Sequence, residues 1–153
     1  MKIRLAMVWG LLLLPAVAHA HDVTAEVLVY RSSHPFAQLE ARLIRAIEGH
    51  RMGLVAHASA SRGARARGVA IPGNAVLGVF RNDYAVRMLR ASVAAGIEAP
   101  LRIYLTKNPD GSTTLRYRPP GAVFAPYGSP ELDAMARELD EIFAGIVADA
   151  LGR

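Results

Sequence analysis

Two periods run through this chain, alternation with a repeat of two and amphipathic spacing near 3.6, and their order along the sequence outlines a fold. Thr24 to Arg31 sets Ala25, Val27 and Val29 against Thr24, Glu26, Leu28 and Tyr30, which is strand spacing with β-branched and aromatic enrichment. Ser32-Ser33-His34-Pro35 then opens a helix, with Ser33 or His34 expected as cap and Pro35 in the first turn. Phe36, Leu39, Leu43, Ile44 and Ile47 fall on one face of that helix, with Arg42, Arg45 and Glu48 opposite. Gly49 and Gly53 bracket its end, and Leu54 to Ala60 predicts a second strand.

Ser61 to Gly73 lacks either period. Arg62, Arg65 and Arg67 stand there among small residues and glycines, so the stretch reads as a mobile basic loop able to contact an anion. It has no Gly-Lys-Ser/Thr ending and is therefore not a phosphate-cradling Walker loop. Ala75 to Arg81 is an almost unbroken apolar run, as in a strand buried mid-sheet. Asn82 is the expected cap of the next helix, Asp83 complements its positive end, and Val86, Leu89 and Val93 are its expected inner face, with Arg81, Arg87 and Arg90 outside.

Pro100 to Pro120 is the most explicit stretch. Asn108-Pro109-Asp110-Gly111 places Pro where a type I turn needs its fixed φ and Gly where the chain turns left-handed, which predicts a three-residue hairpin loop closed by a G1 bulge. The register follows: Leu105 faces Leu115 and Ile103 faces Tyr117 on the core side, while Tyr104 faces Arg116 and Arg102 faces Arg118 on the other. A cation–π contact is expected between Tyr104 and Arg116. Two like charges opposed on a sheet are mildly destabilising unless an anion neutralises them, so Arg102 and Arg118 are the first pointer to a ligand. A last helix starts at Ser129 with Pro130 in its first position, and carries the stripe Leu132, Met135, Leu139, Ile142, Phe143, Ile146 and Val147. These elements make an α+β domain: a mainly antiparallel sheet of about five strands with helices packed on one face.

The N-terminal segment changes the picture of where this domain works. Met1 to Ala20 has a basic start at Lys2 and Arg4, an apolar centre from Leu5 to Leu14, Pro15, and Ala18-His19-Ala20 as a small-x-small cleavage site. It reads as a secretory signal peptide, 1–20, ahead of a single domain, 21–153. The apolar run is short for a membrane span, so a secreted or periplasmic protein with no stable span after cleavage is expected. Cleavage after Ala20 would leave His21 first, where a free α-amine beside an imidazole can chelate copper. His34, His50 and His57 are the further ligand candidates, at no recognisable metal spacing.

Composition narrows the function classes. The formal charge of the 153 residues is +5; Lys2 and Arg4 fall in the leader, leaving 16 basic against 13 acidic residues, a balance of +3. That is too slight to point to nucleic acid. Arginine supplies nearly all of it, Lys107 being the only lysine beyond the leader. The absence of cysteine excludes disulfides, thiolate metal sites and a cysteine nucleophile. No Gly-x-Ser-x-Gly elbow occurs, Ser129 is expected as a cap, and Glu26, Glu98 and Asp110 are scattered. An enzyme of undetermined reaction is thus a weaker reading than a binding module. The candidate surface joins Arg102, Tyr104, Arg116 and Arg118 with Arg81 and the basic loop, facing a small anion or an acidic protein surface. A homodimer burying the same face is the competing reading.

The order of these elements, with Phe80-x-Asn82, Pro100-Leu101-Arg102, Asp110-Gly111 and Tyr117-Arg118-Pro119, resembles the domain of unknown function 302 family over about Val27 to Ala150. The resemblance implies a small α+β domain with helices on one side of a mainly antiparallel sheet, and it brings no established activity. Family members often have Phe-Gly-Asn-Pro where this chain has Phe80-Arg81-Asn82-Asp83. If that turn lines a shared pocket, Arg81 alters its shape and charge.

Overall fold

A computed structural model describes residues 26–153. The leader, residues 1–20, and His21 lie outside the described residues. Five strands form one sheet: β1 (Leu28–Ser32), β2 (Gly53–Ala58), β3 (Asn74–Phe80), β4 (Leu101–Lys107) and β5 (Thr113–Tyr117). Their spatial order is β1-β5-β4-β3-β2, and every neighbouring pair is antiparallel. The helices are α1 (Phe36–Gly49), α2 (Ala60–Arg65), α3 (Asn82–Ala91), α4 (Pro120–Phe124) and α5 (Pro130–Leu151), with short 3-10 turns at Ala94–Glu98 and Ala125–Tyr127. The architecture is the expected α+β one.

The β4–β5 hairpin forms in the predicted register. Ile103 lies opposite Tyr117, Tyr104 opposite Arg116 and Leu105 opposite Leu115. Gly111 takes φ +86°, the Gly111 N–H donates to the Asn108 carbonyl at 3.1 Å, and the Asn108 N–H donates to the Ser112 carbonyl at 2.8 Å. Side-chain alternation then divides the two strands. Ile103, Leu105, Leu115 and Tyr117 are buried, and the opposite face looks outward.

Helices α1 and α5 cover the inner face. Leu39, Leu43 and Ile47 from α1 and Leu132, Phe143 and Ile146 from α5 are fully buried against Leu77, Ile103 and Leu115. Tyr117 anchors the centre, its ring 5.7 Å from Phe143 and stacked 6.2 Å from Tyr30. The Ser129 hydroxyl accepts from the Leu132 N–H at 3.3 Å and caps α5, with Pro130 in its first turn as read from the sequence.

Four local expectations need correction. Pro35, not Ser33 or His34, is the N-cap of α1, and no side chain caps that helix; the Ser32 hydroxyl instead accepts from the His34 N–H at 3.2 Å, shaping the turn just ahead. The Ser61–Gly73 stretch is not wholly a loop. Ser59 accepts from the Arg62 N–H and starts α2, which holds Arg62 and Arg65. Arg81 rather than Asn82 occupies the N-cap position of α3, again without a side-chain cap. The inner face of α3 is Tyr84 and Met88, whereas Val86, Leu89 and Val93 are exposed. Tyr84 wins because its ring packs inward while its hydroxyl still reaches Glu138 at 3.2 Å, a combination that a plain apolar stripe does not register.

Candidate functional site

The outward face of the sheet is built in cross-strand rows. In one, Val76 of β3 lies opposite Tyr104 of β4, which lies opposite Arg116 of β5, which lies opposite Val29 of β1. In the next, toward the sheet end, Gly78 lies opposite Arg102. The β4–β5 ladder ends at Ile103 and Tyr117, so Arg118 follows the last paired residue. The expected direct opposition of Arg102 and Arg118 is therefore absent from the ladder, because β5 runs into Pro119-Pro120 and α4 instead of continuing.

The two arginines still meet at one feature. Arg102, Tyr104, Arg116 and Arg118 together line an open concavity of about 370 Å³. Val27, Val76, Leu101 and Val123 supply its apolar wall, and Glu98 reaches it from the 3-10 turn before β4. Arg116 is steadied from below, its Nη1 donating to the Thr106 hydroxyl at 2.9 Å. The expected cation–π contact between Tyr104 and Arg116 is not formed. Arg116 donates to Thr106 instead, and among the described residues the guanidinium–ring contacts are those of Arg81 and Arg87 on Tyr84, at 4.3 and 5.2 Å.

Among the described residues four arginines are paired with carboxylates, whereas Arg45, Arg65, Arg67 and Arg90, like the three at the hollow, are not. Arg31 pairs with Asp110, Arg62 with Glu40, Arg81 with Asp83 and Arg87 with Glu138. Among the described residues, Arg102, Arg116 and Arg118 have no carboxylate partner within salt-bridge distance. Glu98, the one acidic group on the wall, accepts from the Tyr127 hydroxyl at 3.0 Å. The Tyr127 phenol is pushed to a higher pKa, by desolvation first and then by that bond.

The remaining sequence candidates lie elsewhere. Arg81 donates Nε and Nη2 to Asp83 at 2.7 and 3.0 Å and borders a 30 Å³ apolar crevice with Met88 and Met135. Arg62 donates to Glu40 at 3.1 and 3.2 Å and lies 2.7 Å from His57 Nε2. Arg65 lines a separate depression beside Val69 and Ile71, and Arg67 is exposed in the turn after α2. The basic stretch thus does not converge with the sheet face. Beside Arg81, the Arg87 guanidinium draws the Glu138 carboxyl down to about 2, with the Tyr84 hydroxyl helping. His50 and His57, the suggested extra copper ligands, are each held by a carboxylate, Asp149 and Glu40, at 2.9 Å.

Sequence reasoning missed Val27, Val76, Val123 and the role of Glu98. Tyr104 and Arg116 are linked by a short turn whose chemistry fixes register. Val76 joins them only through the β3–β4 pairing, across the whole of α3, for which no local signal exists.

A single sheet backed by α1 and α5, with an arginine-lined hollow on its other side, defines a small two-layer α+β domain. The chain belongs to the family described as Domain of unknown function DUF302, whose model matches residues 28–150. A crystal structure of an uncharacterized conserved protein DUF302 from Bacillus stearothermophilus has the same fold, with a TM-score of 0.72 and 16% sequence identity over 81% of this chain and 97% of that one. None of the curated proteins matches the chain.

Proposed function

We propose that this chain is an exported, non-catalytic binding module that holds an anionic ligand on the outer face of its sheet. The observation that carries the reading is the meeting of Arg102, Arg116 and Arg118, none paired with a carboxylate among the described residues, around one 370 Å³ hollow. Guanidiniums gathered without a paired carboxylate repel one another, and an anion turns that repulsion into charge-assisted hydrogen bonds of about 1.5–3 kcal/mol each. A concave site of this volume suits a small molecule, whereas an acidic protein surface would meet a flatter patch. Export rests on the pattern of residues 1–20.

The test is a native mass spectrum of the protein made with its own N-terminus and recovered from the exported fraction, paired with thermal melts in phosphate, acetate and an acidic peptide. A mass beginning at His21 with a small anion attached, and a melting temperature that rises with anion concentration, supports the proposal. Ligand at a hundredfold excess over Kd adds about 2.7 kcal/mol. A bare mass with no response to any anion overturns the binding reading, and a doubled mass without ligand overturns it in favour of self-association.

A further inference from the structure

Resting on that reading, we infer that the ligand is an amphipathic monocarboxylate, with one anionic head and an apolar body, rather than an inorganic or multiply charged anion. The hollow is mixed in character. Arg102, Arg116 and Arg118 line it together with three valines that flank them: Val76 opposite Tyr104 on β3, Val123 from α4, and Val27, 44% exposed, just ahead of Leu28, the partner of Tyr117. Partly open valines beside an arginine site give a phosphate or sulfate nothing, but they remove an apolar body from water. Tyr104, 39% exposed between Val76 and Arg116 in the same row, offers a flat surface where head and body join.

The guanidinium fork takes two oxygens of a carboxylate as readily as two of a phosphate, so it is the apolar flanks that favour an organic acid. Glu98 sets the charge limit. Its carboxylate stands on the same wall, and its one hydrogen bond there is from the neutral Tyr127 hydroxyl. A second negative group on the ligand would share the hollow with that carboxylate and be repelled by it. Glu98 is thus a specificity residue that selects against dianions.

Titration calorimetry with acetate, phenylacetate, succinate and inorganic phosphate tests this on the folded protein. Phenylacetate is expected to bind one to one and about tenfold or more tighter than acetate, the gain of burying the ring. Arg116→Gln removes that binding; Arg102→Gln, at an exposed side chain, does the same without risk to the fold. Tyr104→Ala lowers phenylacetate affinity toward that of acetate, and Glu98→Gln raises succinate affinity relative to phenylacetate. Equal binding of acetate, phenylacetate and phosphate overturns the amphipathic ligand while leaving an anion site. Succinate binding as tight as phenylacetate in the unaltered protein overturns the role of Glu98. No binding by any of the four overturns both this inference and the proposed function.

Discussion

Arg42 of α1 closes the far end of α5: its Nε donates to the Ala150 carbonyl at 2.6 Å, and its Nη2 donates to the neighbouring Asp149 carbonyl at 3.0 Å. The last carbonyls of a helix have no partner within it, and a cation there also meets the negative end of the helix dipole. One side chain therefore ties the first helix to the last. Arg42→Ala is expected to lower unfolding stability by about 1–3 kcal/mol, since it orphans the carbonyl of the buried Ala150 and leaves that of Asp149 with only the Gly152 N–H. Arg42→Lys recovers only part of that, because an ammonium lacks the fork. Urea unfolding checks both, with a shifted midpoint at unchanged slope as the outcome.

Acid should loosen the contact between α3 and α5. Glu138 accepts from Arg87 through both oxygens at 2.7 Å and from Tyr84 at 3.2 Å, and its carboxyl titrates near 2 instead of the ordinary 4.5. The folded value lies below the unfolded one, so the stabilisation is complete above pH 4.5 and disappears as the pH falls toward 2. Stability plotted against pH is expected to fall more steeply over that window in the unaltered protein than in Glu138→Gln. High salt narrows the difference, because the pair is half exposed.

The elements of this fold were legible where a local chemical rule names the answer. Asn108-Pro109-Asp110-Gly111 dictates a turn, the turn dictates register, and the register places Tyr104 beside Arg116. Ser129-Pro130 and the seven-residue stripe of α5 are equally explicit. What failed lacked such a rule. In α3 two stripes compete, and only contact with α5 chooses Tyr84 and Met88 over Val86 and Leu89. The arginines of the site were readable because they lie on one hairpin; the valines come from β3, α4 and the residue before β1, which only tertiary pairing brings together.

That choice of helix face has a direct consequence. Met88 is 4% exposed, so Met88→Ala should cost about 2–5 kcal/mol through lost burial and the cavity left behind. Val86, on the other face of α3, is 41% exposed, and Val86→Ser should cost much less than that. Thermal melts of the two variants decide the matter: equal losses would mean that the helix is seated on its other face.

Gly78 sits between Ala56 of β2 and Arg102 of β4 in the outer rows of the sheet. A Cβ there would stand 2.8 Å from the Ala56 Cβ and 3.0 Å from Pro100 Cγ, atoms fixed by backbone and ring. Neither can swing away. Gly78→Ala is therefore expected to destabilise by about 1–3 kcal/mol by overpacking, although alanine suits a strand no worse than glycine. The double variant Gly78→Ala with Ala56→Gly, which frees the nearer contact, should regain part of the loss in the same denaturation series.

Arg102 and Arg118 give the sharpest contrast between stability and function. Both are exposed, both line the hollow, and neither has a carboxylate partner among the described residues. Removing one positive charge from a gathering of three relieves repulsion and breaks no bond on which the fold depends. Arg102→Ala and Arg118→Ala are accordingly expected to leave the melting temperature in ligand-free buffer unchanged or slightly higher. In saturating phenylacetate the order reverses, since the unaltered protein gains stability from the bound anion and the variants gain less. Melts in both buffers read this directly. If the variants melt higher than the unaltered protein in both, the arginines are tolerated repulsion and the hollow is not an anion site; a crossing of the two orders is what a binding face selected at the expense of apo stability requires.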